Sequence, residues 1–252
     1  MIVNRIIAND DNIVDGEYWF PNLHDTRYFF APTAFGLEEG EGYFSHTFWV
    51  IWQFQYGISD NFSVGAGTSP IGYPTTLNGK YTINLRNKLN TAFGYFWVGD
   101  LFNLNGFNDR SLVNMPYAVI TKGTKETNIT LGLGLNLSNT WLDDSYVEYS
   151  TDANGYQIGT LIEDEITLAD RVTINTGATA RMSRRFSVVF EGWLFDFNED
   201  PILLGGPGIR YFRKINRVTP KNGAGAKIFD FHLLFSPEFD GPIPMFGASQ
   251  KF

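Results

Sequence analysis

The chain reads as an all-β protein: a transmembrane antiparallel up-and-down β-barrel of about 12 strands, with ten as the nearest alternative. Three observations carry this. Apolar residues recur with period two in segment after segment, and short and long connections alternate along the chain. No apolar run approaches the ~20 residues of a membrane-spanning helix; Phe48 to Trp52 is typical of the longest. Only helices and closed barrels satisfy every backbone N–H and C=O inside a bilayer, so a membrane reading of this chain is a barrel reading.

At 252 residues the chain suits one large all-β domain. Residues 1–25 are set apart as an amino-terminal extension or plug, and 26–252 as a single barrel domain. The absence of cysteine excludes disulfides, thiolate metal sites and cysteine nucleophiles, and it suits passage through an oxidising periplasm. A net charge of −8 argues against nucleic acid as a partner, since phosphate binding needs clustered Lys and Arg. His24, His46 and His232 are too scattered for a zinc site, and no metal or cofactor is expected. The chain opens on Met1-Ile2-Val3-Asn4-Arg5 and reaches Asp10-Asp11 without an apolar core of leader length. Either this is the mature or trimmed form of an exported barrel, or the export reading fails; this is the main observation against a membrane barrel.

In chain order the alternation predicts strands at 26–31, 43–56, 62–69, 79–87, 90–98 and 112–122, then at 127–138, 171–182, 185–195, 202–213, 227–236 and 244–252. The clearest is 127–138, where Ile129, Leu131, Leu133, Leu135 and Leu137 oppose Asn128, Thr130, Gly132, Gly134, Asn136 and Ser138. In 62–69, Phe62, Val64 and Ala66 oppose Ser63, Gly65 and Gly67; in 79–87, Tyr81, Ile83 and Leu85 oppose Lys80, Thr82, Asn84 and Arg86. Val172, Ile174, Ala178 and Ala180 oppose Arg171, Thr173, Asn175, Gly177 and Arg181. Phe186, Val188, Phe190 and Leu194 oppose Ser187 and Glu191.

Tight turns are expected at 57–61, 87–90, 123–126 and 183–184, and looser connections at 32–42, 70–78, 99–111, 139–170 and 196–201. Outer-membrane barrels alternate in this way, with short periplasmic turns and long extracellular loops. An even strand number puts both termini on the periplasmic side; 214–226 is the one connection longer than that pattern allows. Tyr43, Phe44, Tyr56, Trp97, Trp193 and Tyr211 fall near strand ends, where interfacial aromatic girdles sit. Phe252 closes the chain with Phe246 and Ala248 on its face, although Gln250 interrupts that set.

The segments Trp19-Phe20-Pro21-Asn22, Thr26 to Phe35, and Glu39-Gly40-Glu41-Gly42-Tyr43-Phe44 are distinctive, as is Tyr56 to Gly65 after them. Together they resemble the opening of a poorly characterised family of outer-membrane-barrel-like proteins found in Bacteroidota. The resemblance covers roughly the first 67 residues and is looser beyond them. It implies a barrel and location in the bacterial outer membrane, with outer-membrane lipid as partner, and it brings no catalytic residues.

With the apolar sets toward lipid, the lumen is expected to receive Lys80, Arg86, Arg171, Arg181, Glu191, Arg210, Asp230 and His232, with Asn84, Asn114, Asn128, Asn136 and Asn175. Both signs are present, so these side chains can pair and fill a narrow barrel. The sharper reading is a small-solute pore whose surplus of Arg and Lys favours anions. Inward glycines at 65, 67, 132, 134 and 177 either leave open volume or permit close packing of a plug. The acidic stretch 139–170 and the basic stretch 213–227 read as solvated connections. An outer-membrane lipid hydrolase would need a serine beside a histidine. His46 falls on the lipid-facing set while Ser45 and Ser69 face inward, and no G-x-S-x-G elbow occurs, so no enzyme is expected. The runner-up is a soluble β-barrel or β-sandwich that binds lipid or glycan. It would show the same alternation turned inside out.

Overall fold

Strict alternation becomes a closed cylinder because each strand has one apolar and one polar face, and closure leaves no unpaired edge. The computed structural model describes residues 13–48, 51–101, 111–138, 146–151, 156–162, 168–195, 201–214 and 226–252. Twelve strands form the barrel: β1 (Gly42–Thr47), β2 (Ile51–Ser59), β3 (Phe62–Thr68), β4 (Thr75–Asn84), β5 (Leu89–Gly99), β6 (Ser111–Gly123), β7 (Thr127–Leu135), β8 (Val172–Arg181), β9 (Phe186–Phe195), β10 (Ile202–Lys214), β11 (Lys227–Leu234) and β12 (Ile243–Lys251). Each strand pairs antiparallel with its sequence neighbours. The seam closes where Lys251 of β12 meets Tyr43 of β1 and Gly247 meets Thr47.

The number twelve is reached by a different route from the alternation count. Residues 26–31 are not a barrel strand; they carry only an isolated bridge, Arg27 to Pro32. Their backbone groups bond instead to inward wall side chains, the amides of Phe29 and Phe30 to Glu191 and the carbonyls of Arg27 and Tyr28 to Arg210. The predicted strand 43–56 is instead two strands, β1 and β2, joined by a reversal between the paired residues Thr47 and Ile51. Phe48 adopts a left-handed φ of 51° at that reversal. Alternation hides the turn because parity survives it: Phe44 and His46 in β1 share the outer wall with Trp52, Phe54, Tyr56 and Ile58 in β2.

The tight hairpins have local causes. Asn87 and Lys88 both adopt left-handed φ, 61° and 56°, as a type I′ turn requires, and they join β4 to β5. Gly123, at φ 129°, opens the β6–β7 turn, where Thr124 N donates to Thr127 O at 2.8 Å. These turns and the β8–β9 turn lie at the same end of the barrel as Gly42 and Lys251. At the opposite end, the predicted loose stretch 139–170 contains a separate antiparallel hairpin that pairs Tyr146–Thr151 with Gln157–Ile162, and then one helical turn, Leu168–Arg171. Of the acidic residues in that stretch, Asp143, Asp144, Asp152, Glu163, Asp164 and Glu165 lie outside the described residues. So do residues 215–225, most of the basic stretch.

The wall's two faces are chemically distinct. Along β7, Ile129, Leu131 and Leu133 are 58%, 63% and 56% exposed while Asn128 and Thr130 are buried. The same partition places Phe93, Tyr95, Val188, Phe190, Ile209, Phe231 and Phe246 on the exposed side. In a closed cylinder a buried alternate set points inward, so the apolar set is the outer wall. That continuous apolar surface far exceeds what a soluble monomer exposes. A carrier barrel would show the reverse arrangement.

Candidate functional site

The barrel interior is occupied by the chain's own amino-terminal stretch, Phe20 to Glu41, which forms a wedge. It enters at the short-turn end, where Phe20 packs on Phe212 and Ile228 and Asn22 Nδ2 donates to Lys125 O at 2.9 Å. Tyr28, Phe29 and Phe30 reach the middle of β7 and β9, after which the chain returns. Glu39 N then donates to Asp60 Oδ1 at 3.0 Å in the β2–β3 turn, and β1 begins at Gly42.

Charged wall residues hold this wedge. Lys80, from β4, donates through Nζ to the carbonyls of Thr26 (3.1 Å), Thr33 (3.1 Å) and Phe35 (2.7 Å). Arg210, from β10, pairs with Asp230 of β11 through Nε (2.7 Å) and Nη2 (3.2 Å). Its guanidinium also donates to the carbonyls of His24 (2.5 Å), Tyr28 (2.6 Å) and Arg27 (3.3 Å). Arg27 itself approaches Asp230 at 4.0 Å. Glu191, from β9, accepts the amides of Phe29 and Phe30 at 2.8 Å each through Oε2, and the Trp193 indole N–H at 2.8 Å through Oε1. The Tyr28 hydroxyl donates to Asn128 Oδ1 and shares a hydrogen bond with Thr130, both at 2.7 Å. Thr121 Oγ1 accepts the Ala34 amide at 2.7 Å.

Of the residues expected in the lumen, Lys80, Glu191, Arg210, Asp230 and His232 are buried and surround the wedge. His232 lies against the Phe29 ring at 4.7 Å between centroids. Arg181 is at the short-turn end, 3.3 Å from Glu126 and stacked 3.8 Å over the Phe212 ring. Arg171 is at the other end, half-buried, with Nη1 3.2 Å from Asn136 O. Arg86 is exposed, past the end of β4 in the turn that follows. Asn84 is likewise exposed. Asn114 lies on the outer set, where its Oδ1 accepts from the Tyr95 hydroxyl.

Two aromatics expected in the outer girdle are inside. Tyr43 is 5% exposed, edge-on to His24 and beneath Arg27. Trp193 packs against Tyr28, Ala31 and Val189. Parity puts both there, since Tyr43 shares a face with Ser45 and Trp193 shares one with Glu191. On the outer wall, Phe54 stacks on the terminal Phe252 at 5.3 Å, and Phe186 lies 5.1 Å from Tyr211.

Further pairs close the short-turn mouth. Lys251 meets Glu41 at 2.9 Å, tying the last strand to the start of the first. Lys125 meets Asp25 at 3.0 Å, and the Asp25 carboxylate raises the Lys125 pKa. Burial raises the Glu126 carboxyl, although it accepts the Asn22 amide. His24 is held well below the usual imidazole range by burial and by the cations Arg210, Lys251 and Arg27. Its Nε2 lies 3.4 Å from Ala226 O. Alternation over 26–31 reads as a wall strand, and nothing local in the sequence marks the wedge as an occupant of the lumen.

The inward glycines serve packing. A Cβ on Gly177 would collide with the Tyr28 ring, one on Gly65 with the Gln55 amide, and one on Gly132 with Asn175 Oδ1. Among the described residues, no cluster of three or more His, Cys, Asp or Glu is arranged to hold a metal ion.

The fold and the partition of its faces define a twelve-stranded transmembrane β-barrel with a filled lumen. No family model and no curated protein matches the chain. Among solved structures it is similar to the NanC porin in a rhombohedral crystal form, at 10% identity and TM-score 0.45, over 84% of this chain and 98% of that one. It is also similar to the CymD monoaromatic hydrocarbon channel, at 9% identity and TM-score 0.39, over 85% of this chain and 88% of that one.

Proposed function

We propose that this chain is a bacterial outer-membrane barrel that rests closed, a narrow small-solute pore filled by its own amino-terminal wedge. The observation that carries the reading is the partition of the wall, with an exposed apolar set outside and buried charges inside around a closed ring of strands. Short turns at the end holding Gly42 and Lys251 support a periplasmic position for that end, and the outer wall supports outer-membrane lipid as partner. Lys80, Arg171, Arg181, Glu191, Arg210, Asp230 and His232 form the lumen lining in this reading, with Arg86 at its mouth. The domain division becomes a wedge reaching to Glu41 and a barrel from Gly42. The resemblance of the opening segments supports membership of the Bacteroidota family. The reading assigns no catalytic role.

The test is gel mobility of detergent-refolded protein with and without boiling, followed by conductance in planar bilayers. A closed barrel migrates faster unboiled, requires detergent, and passes little current while the wedge is in place. Full solubility without detergent, with unchanged mobility, would refute the membrane reading.

A further inference from the structure

The groups that hold the wedge address its main chain. Lys80 and Arg210 donate to six carbonyls, those of Thr26, Thr33 and Phe35 and those of His24, Arg27 and Tyr28. Glu191 and Thr121 accept the amides of Phe29, Phe30 and Ala34. Every peptide offers such carbonyls and amides, so these contacts fix a backbone path and say little about sequence. Sequence is read at two points. The Tyr28 ring fills the space over Gly177 and its hydroxyl reaches Asn128 and Thr130. The Phe29 ring packs on His232 and lies 3.1 Å from where a Cβ of Gly247 would stand.

Main-chain hydrogen bonds for affinity combined with side-chain pockets for specificity are how proteins bind peptides. Both ends of the wedge leave through the same mouth, and Glu38 and Glu39 on the return leg are exposed. The occupant can therefore depart without breaking the strand ladder. Lys80 and Arg210 are buried, and buried charges need compensating partners, so the wall favours a carbonyl-rich occupant.

We propose that the inner wall of this barrel is a peptide-binding site whose resident occupant is Phe20 to Glu38, and that it takes a peptide that turns back on itself at an adjacent tyrosine and phenylalanine, as the wedge does where Tyr28 N donates to Ala31 O. The site's effect on current rests on the closed-pore reading; its binding of peptide does not.

The test inserts a protease recognition sequence between Glu38 and Glu39 of the full chain, which is refolded and then cleaved. The probe is a fluorescent synthetic peptide with the sequence of residues 20–38. Cleaved protein is expected to exchange its cut segment for the probe saturably, while uncut protein excludes it. A probe carrying Tyr28→Ala and Phe29→Ala should bind about ten-fold more weakly or worse. Cleaved, washed barrels should conduct, and added peptide should close them. If the probe never exchanges while heat-modifiable mobility persists, the segment is fixed core and the proposal is overturned. Loss of that mobility on cleavage overturns it too, because the wedge is then integral to the barrel. Saturable exchange without conductance upholds the peptide site and refutes the pore reading.

Discussion

Replacing Lys80 by methionine tests whether the wedge is held by charge rather than by shape. Methionine keeps most of the apolar stem and removes the ammonium that three carbonyls share. The Thr26 carbonyl retains a partner, the Thr33 amide at 3.1 Å. The carbonyls of Thr33 and Phe35 lose the Lys80 donor in buried surroundings. An orphaned buried carbonyl costs about 1–3 kcal/mol, so two give roughly 2–6 kcal/mol. Removing a desolvated ammonium offsets part of this, which leaves about 2–4 kcal/mol of docking stability lost. At a factor of ten per 1.4 kcal/mol, wedge opening becomes roughly 30- to 700-fold more frequent. Native-state hydrogen exchange reads it directly at the amides of Phe29, Phe30 and Ala34, which bond to Glu191 and Thr121 of the wall, against amides of β7 as the internal reference. Unchanged exchange at Phe29, Phe30 and Ala34 would mean that Lys80 contributes nothing to docking.

The outer wall predicts that Leu133→Arg, at a position 56% exposed to the apolar surroundings, destabilises the barrel by ~2–4 kcal/mol near the bilayer midplane, read by urea titration in lipid vesicles; a neutral result would reverse the face assignment. Gly177→Leu puts side-chain atoms where the Tyr28 ring lies and should make the wedge sensitive to added protease, with Tyr28→Ala restoring protection in the double variant. Docking should also weaken in acid through His24. Its docked pKa is depressed, so its contribution is complete above the released value of about 6.5 and is lost as pH falls below that, by at most ~1.4 kcal/mol per pH unit. Wedge exchange measured between pH 7.5 and 5 should show this slope, and His24→Gln should flatten it.

Much of the wall was legible because side-chain alternation is a local property of an extended backbone. Ile129 to Leu137 announce a strand and its two faces without any partner, and Asn87-Lys88 and Gly123 mark turns within a few residues of their cause. Parity also placed Lys80, Glu191, Arg210, Asp230 and His232 on one face together. The same locality produced the errors. A reversal that preserves parity between Thr47 and Ile51 looks like one strand, and Tyr43 and Trp193 near strand ends look like girdle residues.

Strands, faces and turns are thus written in the residues themselves, because each depends on neighbours one to four positions away. Which face is inner is not, since alternation is symmetric until the cylinder closes at β12 and β1. The wedge, too, emerges only on folding. Arg27 to Ala34 follow no regular ladder, and their partners Glu191 and Arg210 lie far along the chain, as in the pairing of Phe29 with Glu191 across 162 positions. Hydrogen bonds of that range leave no period in the sequence, and they exist only once the wall has brought those charges around a common axis.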